Sequence, residues 1–288
     1  MKVFRKLATY YTKHRELATI GTIAGVLFGA ISVLSVLAPG AEKQPVGTEG
    51  SPRTPVLVEL FTSEGCSSCP PADALLEKLD RTQPVPAADL VVLSEHVDYW
   101  DDVGWKDPYS SHEFSLRQAD YARRFRLDGA YTPQMVVDGD TQLVGSDERD
   151  ALRAIGSATK LAKLPVTLSS PHFEGTNSLV VHVDVGPAIS SGKPISGQVL
   201  VALADESDQS NVRRGENAGR ILKHVAVVRT LAQVGALEGK ETFSKQVRVS
   251  TGNLDRQKLR IVAIVQENGP GRVLGLSSIR PASARDPE

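Results

Sequence analysis

Cys66 and Cys69 are the two cysteines of a 288-residue chain, and both fall in the stretch EGCSSCPPAD at 64–73. Three kinds of chemistry use such a pair. A structural disulfide is the plainest, yet a bridge across so short a loop constrains little of the unfolded chain, because the gain grows with loop length. Metal binding needs more than two thiolates: structural zinc takes four ligands from Cys and His, and no second cysteine pair exists. A soft Cu(I) site drawing on Cys66, Cys69 and His96 or Met135 stays open. Thiol–disulfide exchange is the third. A cysteine near a helix N-terminus has its thiolate stabilised by the positive end of the dipole. A second cysteine one turn on can attack the mixed disulfide that the first forms. The residues favour exchange, with Cys66 attacking, Cys69 resolving and no cofactor implied.

The neighbours qualify this. Glu64 is a carboxylate beside Cys66 and opposes its ionisation. Pro70 and Pro71 suit a first helical turn, whose N–H groups have no partner in any case. Either the helix begins at Pro70 or its first turn is distorted. Further along, HVDYWDDVGW (96–105) leaves the end of a strand, where open α/β sheets bind ligands. His96 and Asp98 are candidates for an acid–base pair or metal ligands, and Trp100 and Trp105 for the walls of a substrate groove. The plainer alternative is a packed loop covering the sheet end. In GENAGR (215–220), Glu216, Asn217 and Arg220 read as a solvated loop, with the alternative that the loop reaches over the cysteines.

These residues need elements to position them. PVLVELFT (55–62) and DLVVLSEHV (89–97) read as buried strands, and PADALLEKLDR (71–81) as a helix with Leu75, Leu76 and Leu79 on one face. A second helix is expected over 110–125 with Ser110 or Ser111 as its cap, and a third over 146–160 capped by Ser146. PQMVVDGDTQLVG (133–145) is a hairpin turning at Asp-Gly. This order predicts an α/β arrangement, a mixed sheet covered by helices. From Pro165 onward SLVVHVDVG, GQVLVALAD, HVAVVRTL, ETFSKQVRV, KLRIVAIVQ and RVLGLSSI are strand-like with few helical signals between them, which predicts an all-β sandwich.

The chain is long enough for two domains at roughly 100–200 residues each, and 41% of it is apolar, enough to bury a core. A net charge of −1 with interspersed signs lacks the basic patch of a nucleic-acid binder. Lys2, Arg5, Lys6, Lys13 and Arg15 precede the apolar run 17–38. About 20 apolar residues span a bilayer core, and the basic flank keeps the N-terminus cytoplasmic. The run exceeds the roughly 7–15 residues of a signal-peptide core, and Pro39 follows Ala38, so a retained anchor is favoured over cleavage. The expected organisation is a tail and anchor at 1–38, a linker at 39–54, an α/β domain at 55–163, a β domain at 164–280 and a flexible tail at 281–288.

The CxxC at the head of a helix and the Thr-Pro of YTPQ (131–134) resemble the thioredoxin superfamily. That resemblance implies a cis Pro133 beside the cysteines, a Thr132 backbone that pairs with an extended substrate, and Glu59 as a buried acid exchanging protons with Cys69, although strand alternation does not put Glu59 in register with it and an edge-facing or paired Glu is the alternative. It also implies protein thiols and disulfides outside the cytoplasm as partners. VELFTSEGCSSCPPAD, HVDYWDDVGWKDP, YTPQMVVDG, GENAGRILKHVAVVR and VAIVQE together resemble a bacterial secreted family, domain of unknown function family 1223, over most of 55–280. The expected fold is a thioredoxin-like first half followed by a sandwich-like second half.

Overall fold

β1 (Thr54–Thr62) alternates: Val56, Val58 and Leu60 pack on one side of the sheet, Leu57 and Phe61 on the other. The chain after it supplies a layer for each side. In the computed structural model, which describes residues 52–190, 193–239, 241–252 and 254–280, α1 (Pro70–Thr82) and α3 (Glu148–Ala158) cover the first side. Leu75, Leu76, Leu79, Ala151 and Ile155 are buried there. α2 (His112–Arg124) covers the second through Phe114 and Tyr121. The anchor expected at 17–38, the linker up to residue 51 and the tail 281–288 lie outside the described residues. Among the described residues no helix is long and apolar enough to cross a membrane.

Local signals set the helix ends. Ser111 caps α2 by accepting from the Glu113 N–H, as one of the two expected serines. α3 is capped by Asp147, which accepts from the Asp150 N–H, rather than by Ser146; the carboxylate one residue later does the same work. Asp138 and Gly139, with φ of 53° and 63°, are the central residues of the turn between β3 (Gln134–Val137) and β4 (Thr141–Val144), and Asp140 N–H closes it by donating to Val137 O at 3.0 Å.

β5 (Val166–Glu174) opens the second half on a stretch not read as a strand, and β6 (Ser178–Val185), β9 (Gly197–Asn211), β10 (Ile221–Leu237), β11 (Phe243–Ser250), β12 (Leu259–Gln266) and β13 (Val273–Ile279) follow on the six expected segments. A short pair, β7 (Ile189–Ser190) and β8 (Lys193–Pro194), lies between them. Their pairing differs from a separate sandwich. One eight-stranded mixed sheet runs β13-β12-β9-β10-β2-β1-β3-β4, where β2 is Ala88–His96, and only β5, β6 and β11 form a second sheet. One sheet therefore crosses the boundary expected near residue 163. The reason lies in β2: it is buried along almost its whole length, and an unpaired edge there would leave buried N–H and C=O groups without partners. β1 pairs with one edge in parallel, and β10 takes the other, also in parallel, at Val227 against Ser94.

Arg260 on β12 fastens α1 to this extended sheet. Its guanidinium lies 2.9 Å from both carboxylate oxygens of Asp80 on α1 and 2.9 Å from both of Glu206 on β9, and its side chain is 2% exposed. Breaking a buried ion cluster leaves charge uncompensated. Arg260→Ala is expected to lower the unfolding free energy by about 3 kcal/mol, measured by urea denaturation; a loss under about 1 kcal/mol would show the cluster to be energetically idle.

Candidate functional site

The cysteines close a turn between β1 and α1. Cys66 N–H donates to Ser63 O and Cys69 N–H to Cys66 O, each at 3.2 Å, and the two side chains form a disulfide with Cα atoms 5.4 Å apart. The helix begins at Pro70, and Cys69 is its N-cap, accepting from the Ala72 and Asp73 N–H groups. Cys66 therefore stands in the turn ahead of the helix, and of the two readings of the prolines the one that starts the helix at Pro70 is realised. The prolines cause this: neither has an N–H to give to a carbonyl further back. The dipole acts on Cys69 more directly than on Cys66, because its effect is confined to the first turn. Both cysteines are fully buried, whereas Ser67 and Ser68 between them are exposed.

The Thr132–Pro133 peptide bond is cis, as the thioredoxin resemblance implied. Pro133 sits beside the first turn of α1: a Cβ placed on Gly145 would lie 3.0 Å from Pro133 and 3.1 Å from Ala72. Thr132 Oγ1 accepts from Trp100 Nε1 at 2.8 Å. Trp100 in turn backs the cysteine turn, where a Cβ on Gly65 would meet its Cβ at 3.0 Å. Thr132, Pro133 and Trp100 are thus brought to the cysteines.

Glu64 is the hub. Its carboxylate is sealed from solvent and accepts from Trp105 Nε1 at 2.7 Å and from the Ser210 hydroxyl, and it lies 3.1 Å from His224 Nε2. Its backbone N–H donates to Asp107 Oδ2 at 2.8 Å, and the same oxygen lies 2.7 Å from His96 Nδ1. The rings of His96, Tyr109 and His224 meet edge to face, His96 and His224 at 4.6 Å. Burial disfavours the imidazolium of His96, but the Asp107 carboxylate outweighs it and the pKa is raised. Burial acts against the Asp107 anion as well, yet His96 and the Glu64 and Tyr109 N–H groups hold its pKa down. Asp73, in the first turn of α1, faces this cluster with a carboxyl pKa raised by burial.

Other expected pairings are not formed. Asp98 does not meet His96: it lies 3.0 Å from His112 and accepts from the Ser115 hydroxyl at 2.5 Å at the head of α2. The strand ends at His96, so Asp98 follows the chain outward. Glu59 faces away from α1 and the cysteines. It accepts from Arg117 at 2.5 and 2.8 Å and from the Tyr121 hydroxyl at 2.6 Å, with Gln266 completing the group. Strand alternation separates it from Cys69. The ligand set Cys66, Cys69 and His96 is not assembled, since both sulfurs are in the bridge and His96 is held by Asp107. Met135 is buried in the core under α1 and α3. Among the described residues no three His, Cys, Asp or Glu side chains are grouped to hold a metal ion.

The GENAGR loop is the tip of the β9–β10 hairpin, and of its two readings the closing one is realised. Asn217 is fully buried and donates to Glu64 O at 2.9 Å and to Cys66 O at 3.0 Å, while Glu216 accepts from the Ser67 N–H at 3.0 Å. Residues 57–266 match the family described as "Protein of unknown function (DUF1223)". The chain belongs to that family. Among solved structures, protein AGR_C_4864 from Agrobacterium tumefaciens is similar to this DUF1223 member over 82% of the chain and 99% of its own, with 28% identity and a TM-score of 0.62. A domain of the outer membrane lipoprotein Omp28 from Porphyromonas gingivalis aligns with 42% of this chain and 90% of its own at 16% identity and a TM-score of 0.28. No curated protein matches the chain. His224 and Asp107 were not singled out by their spacing, whereas Asn217 was named within GENAGR; a histidine set in the apolar run HVAVVRTL is the signal that points to the first.

The His96–Asp107 pair makes stability depend on pH with a definite sign. A raised histidine pKa contributes stability below its unfolded value of about 6.5 and loses it as pH rises through the folded value. The lowered Asp107 pKa contributes above about 3.9 and loses it as pH falls. The groups facing His96 are Asp107, Asp73, Glu64, His224 and Tyr109. His96→Gln is therefore expected to be less stable than the parent protein at pH 6, by a margin that shrinks toward pH 9 in urea titrations. A margin that widens with pH would contradict the ion pair.

Proposed function

We propose that the chain is an extracytoplasmic thiol–disulfide exchanger whose first half is thioredoxin-like and whose working pair is Cys66 and Cys69. The observation that carries the reading is the disulfide closing the turn at the head of α1. The order of elements supports it: β1 and β2 parallel, β3 and β4 antiparallel beside β1, with helices on both faces. Pro133, Thr132, Trp100 and Trp105 then shape the surface next to the pair. A disulfide persists where the surroundings are oxidising, which fits export with residues 17–38 as the membrane tether and protein thiols and disulfides as partners.

The exchange is balanced as follows. A partner thiolate attacks Cys66 Sγ, a sulfur–sulfur bond to the partner forms, the Cys66–Cys69 bond breaks, and Cys69 leaves as a thiolate that takes up a proton. A second partner thiolate then attacks the partner sulfur of the mixed disulfide, which completes the partner's own bridge and releases Cys66. Two electrons and two protons pass from the partner dithiol to the pair; the reverse sequence reduces a partner.

The reduction potential of the pair is the deciding measurement, with an expected value above about −250 mV, in the range of exchanging proteins. Cys69→Ser should hold partners covalently on Cys66, and Cys66→Ser should hold almost none. A potential below about −300 mV, the range of structural bridges, together with no adducts, would sink the proposal.

A further inference from the structure

Exchange needs a thiolate to reach a sulfur, and here both cysteines are fully buried. What lies over the turn is the hairpin tip Val212–Arg220. Its base continues the β9–β10 ladder, since Ile221 pairs with Asn211 and Val212 N–H donates to Arg220 O. Gly215 and Gly219, with φ of 73° and 82°, give the tip its shape. A Cβ on Gly215 would come within 3.2 Å of Trp105. The tip is thereby laid against the loop after β2 and over the cysteine turn.

We infer that Asn217 is the positioning residue of the cysteine turn and that the Val212–Arg220 tip selects which thiols reach the disulfide. The inference rests on the exchange reading above. Its chemistry is specific to an amide. The carbonyls of Glu64 and Cys66 flank Gly65, and one side-chain NH2 has two hydrogens, one for each. The other end of the amide is fixed, because Asn217 Oδ1 accepts from Arg220 Nη1 at 2.8 Å. Cys66 O also accepts from the Cys69 N–H, so Asn217 holds the carbonyl that shapes the CxxC turn itself. Glu216 acts at the exposed edge. Its carboxylate takes the Ser67 N–H, a donor within the cysteine turn that an incoming chain or a nascent thiolate would otherwise use. A partner must displace Glu216 and lift Asn217 to attack. A small dithiol needs a brief local opening, whereas a protein thiol needs the tip to swing clear.

The test compares rates of disulfide reduction by dithiothreitol and by a reduced, unfolded protein dithiol, on the full chain. Asn217→Ala is expected to accelerate both by tenfold or more, the protein dithiol more than the small one, so the parent protein's preference for the small thiol narrows. Asn217→Asp keeps an acceptor for Arg220 but turns oxygen lone pairs on the two carbonyls, and should react at least as fast as Asn217→Ala. Because Asn217 is buried and its variants can fail to fold, Glu216 supplies an independent arm. Glu216→Ala should accelerate reduction several-fold without loss of folded signal, and Glu216→Gln, which still accepts from Ser67, should stay near the parent rate. Equal, measurable rates in all variants and the parent would overturn the selecting role and leave exchange standing. A bridge that resists both thiols in every folded variant would overturn both.

Discussion

A carboxylate sealed from water has to be met by donors, and Glu64 is placed two residues before Cys66. Its partners come from both halves of the chain. Trp105 belongs to the loop after β2, Ser210 to β9, and His224, at 3.1 Å, to β10. None of these can shift far without leaving a buried charge unpaired, a loss of several kcal/mol in other proteins. The position of the cysteine turn is therefore set by the second half of the chain as much as by β1 and α1. Asp107 extends the constraint, since one of its oxygens serves both the Glu64 N–H and His96.

The pairing of β10 with β2 makes this possible. An antiparallel hairpin of 15- and 17-residue strands is long enough for its middle to complete the sheet and its end to reach beyond the sheet edge. β2 stops at His96, level with Thr62 at the end of β1, and both strands release their chains toward the cysteines at that edge. The β9–β10 tip arrives at the same edge. A sandwich closed on itself would have left β2 with a bare edge and the cysteine turn open to water. Joining one sheet covers both.

How much of this could be read from residues follows from the range over which each feature is decided. α1, α2, α3 and the Asp138–Gly139 hairpin were legible within a residue or two, because apolar period, caps and turn residues act locally. Six strands of the second half, from β6 to β13, were legible for the same reason, but their partners were not, since alternation fixes which way a strand faces and says nothing of which edge it meets. The same limit explains the site. Asp98 looked like the partner of His96 at two residues' distance, and the true partner is Asp107, eleven residues on across a loop. Glu59 stood out rightly as a charge in an apolar strand, yet its parity directs it to Arg117 on the far side. Asn217 sits in a polar tip whose composition suggests solvent, and only the glycines that bracket it hint at a shaped loop.

The arrangement around the bridge separates two quantities that are often joined. Which form is stable depends on how the thiolates would be held. Cys66 has carboxylates at Glu64 and Glu216 nearby and a turn N–H already committed to Glu216, all of which disfavour its ionised form. Cys69 caps a helix whose first two residues are prolines and whose first turn carries buried Asp73, so dipole support is offset there too. These effects set the electrostatic cost of each thiolate. How fast the bridge exchanges depends instead on lifting a tip that is held by three hydrogen bonds to the turn, two from Asn217 and one to Glu216. Electrostatics at the sulfurs is set by residues of the first half, except for Glu216, and access by residues of the second. A single side chain, Glu216, belongs to both, which makes it the place where loosening the cover also relieves the charge that opposes the thiolate.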